Sequence, residues 1–192
     1  MRISGGEARG VTLTVPKGDA VRPATDGLRQ AVFSSLAARV PGAVFLDLFA
    51  GSGAYGLEAL SRGATEGTFV EKNAKTVACL RENITAVCKS LRRDEAGLKV
   101  LKGDVMEWTL PAVVAAPDLV FIDPPYEMIK DVAPRIFSRL SGLLNAAHDP
   151  VIVFEMPGEI TLAPEGWVCL KRLGGGARQP TAAFFRASRA LT

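Results

Sequence analysis

The stretch Val44-Phe-Leu-Asp-Leu-Phe-Ala-Gly-Ser-Gly-Ala-Tyr-Gly56 decides how the rest of the chain is read. Its first part, Val44-Phe-Leu-Asp-Leu48, is a short apolar run of the kind that forms a buried strand. Gly51-Ser-Gly53-Ala-Tyr-Gly56 then satisfies G-x-G-x-x-G and leads into a helical segment from about Ala54 to Arg62. Glycines at such a turn let the backbone reverse tightly and let a ligand approach it closely. Strand, glycine turn and helix in that order begin a βαβ unit.

Downstream, strands and helices keep alternating. Gly67–Glu71 reads as a second strand and Ala74–Leu91 as a helix; Leu98–Leu101 and Asp118–Ile122 read as further strands. A helix over about Ile129–Leu140 precedes a fifth strand at Val151–Phe154, and Trp167–Leu173 and Thr181–Phe185 form a closing strand pair around Gly174-Gly-Gly176. This alternation predicts an α/β fold, a mostly parallel sheet covered by helices on both faces, with a terminal strand running antiparallel. Upstream, a helix is expected from about Thr25 to Val40, capped by Thr25 or Asp26. Residues 1–24 look separate: they hold several glycines, an alternating run Val11-Thr-Leu-Thr-Val15, and a small excess of positive charge, which suggests a β-hairpin or arm. Two domains are therefore expected, an arm over 1–24 and a main domain over 25–192.

Composition narrows the function. The 192 residues carry 48% hydrophobic and 22% charged side chains and a formal net charge of +3, values ordinary for a soluble protein and compatible with a polyanionic partner without requiring one. Met1-Arg2-Ile3-Ser4-Gly5-Gly6 has no apolar h-region, and no apolar run reaches the roughly 20 residues of a membrane helix. A cytoplasmic protein with no membrane partner is expected. Cys79, Cys88 and Cys169 have neither metal nor disulfide spacing and read as reduced, small core residues. His148 is the only histidine, in a loop-like segment, so neither a histidine catalyst nor a histidine-ligated metal is expected.

Three carboxylates follow strands. Asp47 lies near the end of the first strand, where its charge would oppose a pyrophosphate and attract the ammonium and sulfonium of S-adenosylmethionine. Glu71 ends the second strand, where it can accept both hydroxyls of a ribose. Asp104, in Lys102-Gly-Asp-Val105, is placed to reach an adenine amino group or to cap a helix. The fourth strand runs into Asp123-Pro-Pro-Tyr126. An exocyclic base amine is a poor nucleophile because its lone pair is delocalised into the ring. Two acceptors, the Asp123 carboxylate and the Pro124 carbonyl, would hold its N–H groups and expose that lone pair. Consecutive prolines fix the backbone, and Tyr126 offers a face for an extruded base.

Asp47-Leu-Phe-Ala-Gly-Ser-Gly53 with Asp123-Pro-Pro-Tyr126 resembles the class I S-adenosylmethionine-dependent methyltransferases that act on amino groups. Arg2-Ile-Ser-Gly-Gly6, Arg9-Gly10, Arg22-Pro-Ala-Thr-Asp26, Arg29 and Gly56-Leu-Glu-Ala-Leu-Ser-Arg-Gly-Ala64 narrow the resemblance to the bacterial RsmD family, which methylates N2 of a guanine in 16S rRNA. The resemblance implies a Rossmann-like sheet of seven strands with the last antiparallel, and an N-terminal hairpin that engages RNA. It implies S-adenosylmethionine as cofactor, without a metal, held by Thr25, Asp47, Phe49, Gly51, Gly53, Glu71 and Asp104. It implies catalysis by Asp123, Pro124 and Tyr126, with Arg2, Arg9, Lys17, Arg22 and Pro125 on the RNA and Arg29 over the cofactor or the entering base. The implied partner is 16S rRNA or the 30S subunit or its assembly intermediate, met by a monomer. Alternatives are a methyltransferase acting on adenine N6 or another DNA or RNA base, a NAD-binding oxidoreductase, and a non-catalytic RNA-binding module. Three positions depart from the family: Gly27 stands where Arg is usual, Gly174–Thr181 replaces a tyrosine-glycine turn, and Tyr55 takes the place of a smaller residue.

Overall fold

The structure, a computed structural model, describes residues 1–15, 25–107, 116–144 and 149–188. Its strands are β1 (Val44–Leu48), β2 (Glu66–Glu71), β3 (Leu98–Lys102), β4 (Leu119–Ile122), β5 (Val151–Pro157), β6 (Trp167–Gly174) and β7 (Pro180–Ala187). Its α-helices are α1 (Thr25–Ser35), α2 (Ala54–Ser61), α3 (Ala74–Ser90) and α4 (Ile129–Leu143). The seven strands form one sheet in the order β3-β2-β1-β4-β5-β7-β6. Pairing is parallel from β3 through β5, and β7 runs antiparallel to both β5 and β6. This is the Rossmann-like class I methyltransferase sheet that the sequence led us to expect.

The strand order reverses between β1 and β4, and ligands of open α/β sheets bind at the carboxyl ends of strands flanking such a switch. The glycine turn leaves β1 there and Asp123-Pro-Pro-Tyr126 leaves β4. Leu48 pairs with Ile122, so the two segments emerge side by side at one height.

Alternation along the strands divides the interior in two. Phe45, Leu119, Phe121, Val151, Val153 and Phe184 face one core, shared with α1, α2 and α3. Leu46, Leu48, Val120, Ile122, Ile152 and Phe154 face the other, covered by Ile129, Val132, Ile136, Phe137 and Leu140 of α4. Asp47 alternates with Leu46 and Leu48, and Glu155 with Phe154 and Met156, so both carboxyls point to the α2 side.

Residues 1–15 fold back on themselves. The amide of Ile3 donates to the Val11 carbonyl, that of Gly10 to Ile3 and that of Leu13 to Met1, with one isolated bridge between Arg2 and Thr12. Ile3, Ala8 and Leu13 are buried in the first core. The α1 helix is shorter than expected, because the chain tightens into turns after Ser35 and meets Pro41, which cannot continue a helix. Cys88 is buried as expected, whereas Cys169 is exposed on the edge strand β6. Among the described residues no helix is long and apolar enough to cross a membrane.

Candidate active site

The glycine turn is built from left-handed backbone. Phe49, Gly51 and Gly53 have φ of 59°, 54° and 84°. For Phe49 that conformation costs about 1–2 kcal/mol, so the surrounding structure must enforce it. The two glycines serve different ends. A Cβ on Gly51 would find nothing nearer than the Phe49 carbonyl oxygen at 3.9 Å, so this backbone faces open space. A Cβ on Gly53 would stand 2.5 Å from Leu80 Cδ1, which makes that glycine a requirement of α2–α3 packing. Gly56 is likewise enforced by Phe69 and Phe45. Of the G-x-G-x-x-G set, only Gly51 lines accessible space.

Asp47 is 2% exposed, and its Oδ2 accepts the amide of Gly56 at 2.9 Å. No cationic side chain pairs with it among the described residues. Burial pushes its carboxyl up to about 8, partly countered by the Gly56 hydrogen bond and reinforced by the nearby Glu71 charge. A carboxyl held that high carries less negative charge near neutral pH than an ordinary aspartate, so it opposes a pyrophosphate less than an exposed carboxylate would. It ionises readily once a cation arrives.

Glu71 is half-buried at the end of β2, with Oε2 accepting the Gly51 amide at 3.0 Å and Oε1 the Asn73 amide at 2.7 Å. The carboxylate is thereby fixed against the glycine turn. Asp104 ion-pairs with exposed Lys72 at 2.7 Å and accepts the Met106 amide at 2.9 Å, and these contacts hold its carboxyl below the usual range. It closes a turn at Val105–Glu107, after β3.

After β4, Pro124 is buried, Asp123 is half-buried, and Pro125 is exposed ahead of a 3-10 turn at Tyr126–Met128. The Tyr126 ring packs partly against the second core. On the neighbouring strand, Glu155 lies one step beyond the Ile122–Phe154 pair, level with Asp123. Its Oε2 accepts the Tyr55 hydroxyl at 2.6 Å, and the Tyr55 ring stacks on Phe121 at 5.4 Å. Burial, Glu155 and Asp123 all push the Tyr55 phenol well above its ordinary range, so it keeps its proton and donates it to Glu155.

The N-terminal segment is clamped onto α2. Glu58 is fully buried; it accepts the Ser4 amide at 2.8 Å and hydroxyl at 2.7 Å, Arg29 Nε at 3.3 Å and Arg62 Nε at 2.8 Å. Arg29, 2% exposed, also donates to the Arg2 carbonyl and to Asp26. It is thus a buried structural cation and not a residue lying over the cofactor or the entering base. Ser61 donates to the Gly5 carbonyl and accepts the Ala8 amide, and a Cβ on Gly6 would clash with the Ser61 carbonyl. The side chains of Arg2 and Arg9 are exposed, and with Ser4, Asp26 and Gln30 they border a recess of about 190 Å³. Lys17, Arg22, His148 and the side chain of Thr25 lie outside the described residues.

Sequence reading missed Glu58, Asn83 and Glu155 as site-shaping residues. Each carried one faint signal, a polar residue standing where the apolar pattern calls for a core position, as Asn83 does between Leu80 and Val87. Nothing in the sequence says what such a residue will bond. Among the described residues, no group of three or more His, Cys, Asp or Glu could hold a metal ion.

The comparisons agree with this architecture. The family model described as conserved hypothetical protein 95 matches residues 1–180. The ribosomal RNA small subunit methyltransferase D of Escherichia coli (strain K12) is 38% identical over 126 residues, a stretch covering 66% of this chain and 60% of that relative's length. The protein of the same name from Haemophilus influenzae is 31% identical, covering 89% of this chain and 86% of the relative. The solved structure of the Escherichia coli protein yhhF superimposes with a TM-score of 0.79 at 29% identity, covering 97% of each chain. The match over residues 1–180, almost the full length, shows that the chain belongs to the conserved hypothetical protein 95 family.

Proposed function

We propose that this protein transfers a methyl group from S-adenosylmethionine to the exocyclic N2 amine of a guanine in 16S rRNA, within the 30S subunit or an assembly intermediate. The observation that carries the reading is the pairing of Leu48 with Ile122, which sets the glycine turn and Asp123-Pro-Pro-Tyr126 side by side at the switch point. The names of the relatives support the RNA substrate. The residues fit the cofactor on their own terms. Asp47 is a buried carboxyl without a cationic partner among the described residues, matched to a cationic ligand, and Gly51 offers open backbone beside it. S-adenosylmethionine, when bound, supplies a methyl group activated on a sulfonium.

The chain's residues do the rest. Asp47 balances positive charge, Glu71 takes the ribose hydroxyls with the lone pairs that Gly51 and Asn73 leave, and Asp104 serves the adenine edge. Phe49 and Thr25 complete the cofactor's surroundings. Asp123 and the Pro124 carbonyl accept the two amine N–H groups, and Tyr126 and Pro125 flank the base. Arg2, Arg9, Lys17 and Arg22 meet phosphates, and such contacts position RNA without reading its sequence. In this reading residues 1–24 are an RNA-contacting arm and 25–192 the catalytic domain of a monomer working in the cytoplasm without a metal. The test is transfer of radiolabelled methyl to 30S subunits and to bare 16S rRNA from a strain lacking the modification, followed by identification of the labelled nucleoside. N2-methylguanosine is expected, and Asp123→Ala should abolish its formation while cofactor binding persists. Label in another nucleoside, or none, would reject the substrate.

A further inference from the structure

The Gly51-Ser-Gly53 turn is held from outside by an amide that nothing above assigns to the reaction. Asn83 sits in the middle of α3 and is 2% exposed. Its Nδ2 donates to the Ser52 carbonyl at 2.9 Å and to the Thr14 carbonyl at 2.9 Å, while its Oδ1 accepts the Thr14 amide at 2.7 Å. One side chain therefore grips both backbone groups of Thr14, as a neighbouring strand would, and the same nitrogen grips the residue between the two left-handed glycines. A second link runs parallel to it, from the Ser52 hydroxyl to the Met1 sulfur at 3.8 Å. Met1 is itself tied to Leu13 through the amide of Leu13 and the carbonyl of Met1. Both ends of the N-terminal fold-back, Met1 and Thr14, thus converge on Ser52.

Resting on the methyltransferase reading, we infer that Asn83 is a positioning residue that couples the cofactor turn to the N-terminal segment carrying Arg2 and Arg9. Phe49 holds its left-handed conformation at a cost, so the turn keeps its shape only while external anchors hold it. A ligand that fixes this turn fixes Ser52, and through Asn83 it fixes Thr14 and the hairpin opposite. The coupling is reciprocal, since any gain in RNA affinity from the cofactor is matched by an equal gain in cofactor affinity from RNA.

Three measurements on the full chain test this. Affinity for S-adenosylhomocysteine is read by calorimetry, affinity for a 16S rRNA fragment by filter binding with and without that ligand, and amide hydrogen exchange by mass spectrometry. The wild-type protein should bind the fragment several-fold more tightly with S-adenosylhomocysteine present, and exchange in the peptide containing Thr14 should slow. In Asn83→Ala each ligand should still bind, and the ratio between the two RNA affinities should fall to about one. Loss of both affinities alike, with the ratio preserved, would mark Asn83 as merely structural and overturn the inference. If Asn83→Ala does not fold, exchange at Thr14 in the wild type decides, and no change on ligand addition overturns the coupling. Failure of the wild type to bind S-adenosylhomocysteine at all would instead reject the cofactor reading itself.

Discussion

Glu58, a residue of α2, and Asp47, held against the start of that helix, are both buried carboxyl groups, and the fold surrounds them in opposite ways. Glu58 collects two guanidinium groups and two donors from Ser4. Asp47 receives the Gly56 amide and no cation from the described residues, and its carboxyl is pushed up to about 8. A buried charge is tolerated when the protein itself compensates it, and a buried ionisable group left uncompensated marks a functional position. Glu58 compensates from within and fastens the N-terminal segment. Asp47 is left for a cationic ligand to complete.

That contrast can be broken at either end. Glu58→Gln should cause the largest loss of stability, about 3–5 kcal/mol, because Arg29 loses its buried counter-charge and keeps only the exposed Asp26. Urea unfolding measures it, and a loss below about 1 kcal/mol would mean the clamp is dispensable.

The two glycines sharpen the same division. Gly53→Ala should cost about 2–4 kcal/mol, from overpacking against Leu80 together with the left-handed backbone. Gly51→Ala, facing open space, should cost only the backbone share, about 1–2 kcal/mol, and should weaken S-adenosylmethionine binding more than it weakens the fold. Equal effects on both quantities in both variants would remove the distinction between a packing glycine and a ligand-facing one.

Asp47→Asn bears on the other carboxyl. The folded chain holds the Asp47 proton up to about 8, against 3.8 for an ordinary aspartate. The native state therefore carries more protons through that window, and stability declines as pH rises across it, by at most about 1.4 kcal/mol per pH unit. Asparagine keeps an acceptor for the Gly56 amide and has no proton to lose, so the variant should show a flatter pH dependence and hold its stability better at pH 8. Parallel pH curves for the two proteins would contradict this. Smallest of all should be Arg39→Ala, which removes a surface ion pair with Asp149 and should lower the unfolding free energy by less than about 0.5 kcal/mol.

Much of the fold could be read before the structure, because apolar runs of four or five residues separated by helical periods leave little choice of architecture. Val44–Leu48 and Leu119–Ile122 show this most clearly. The edge placement of Asp47, Glu71 and Asp123 followed from their positions at strand ends. What a side chain bonds across the fold did not follow. The resemblance put Arg29 over the cofactor or the entering base, and its burial was not legible because its partners, Glu58 and the Arg2 carbonyl, arrive from distant segments. The three glycines of one motif looked equivalent until the neighbours of each were known. Asn83 escaped because its partners, Ser52 and Thr14, lie far off in sequence and share no spacing with it.

The most direct test is calorimetric titration of S-adenosylmethionine at pH 6.5 in buffers of different ionisation enthalpy, where the ligand's amine is already protonated and Asp47 is not yet ionised. Binding should release close to one proton in the wild type and essentially none in whatever binding Asp47→Asn retains. Tight binding with no proton release in the wild type would show that Asp47 does not meet the cofactor's charge, and the contrast between the two buried carboxyls would lose its functional meaning.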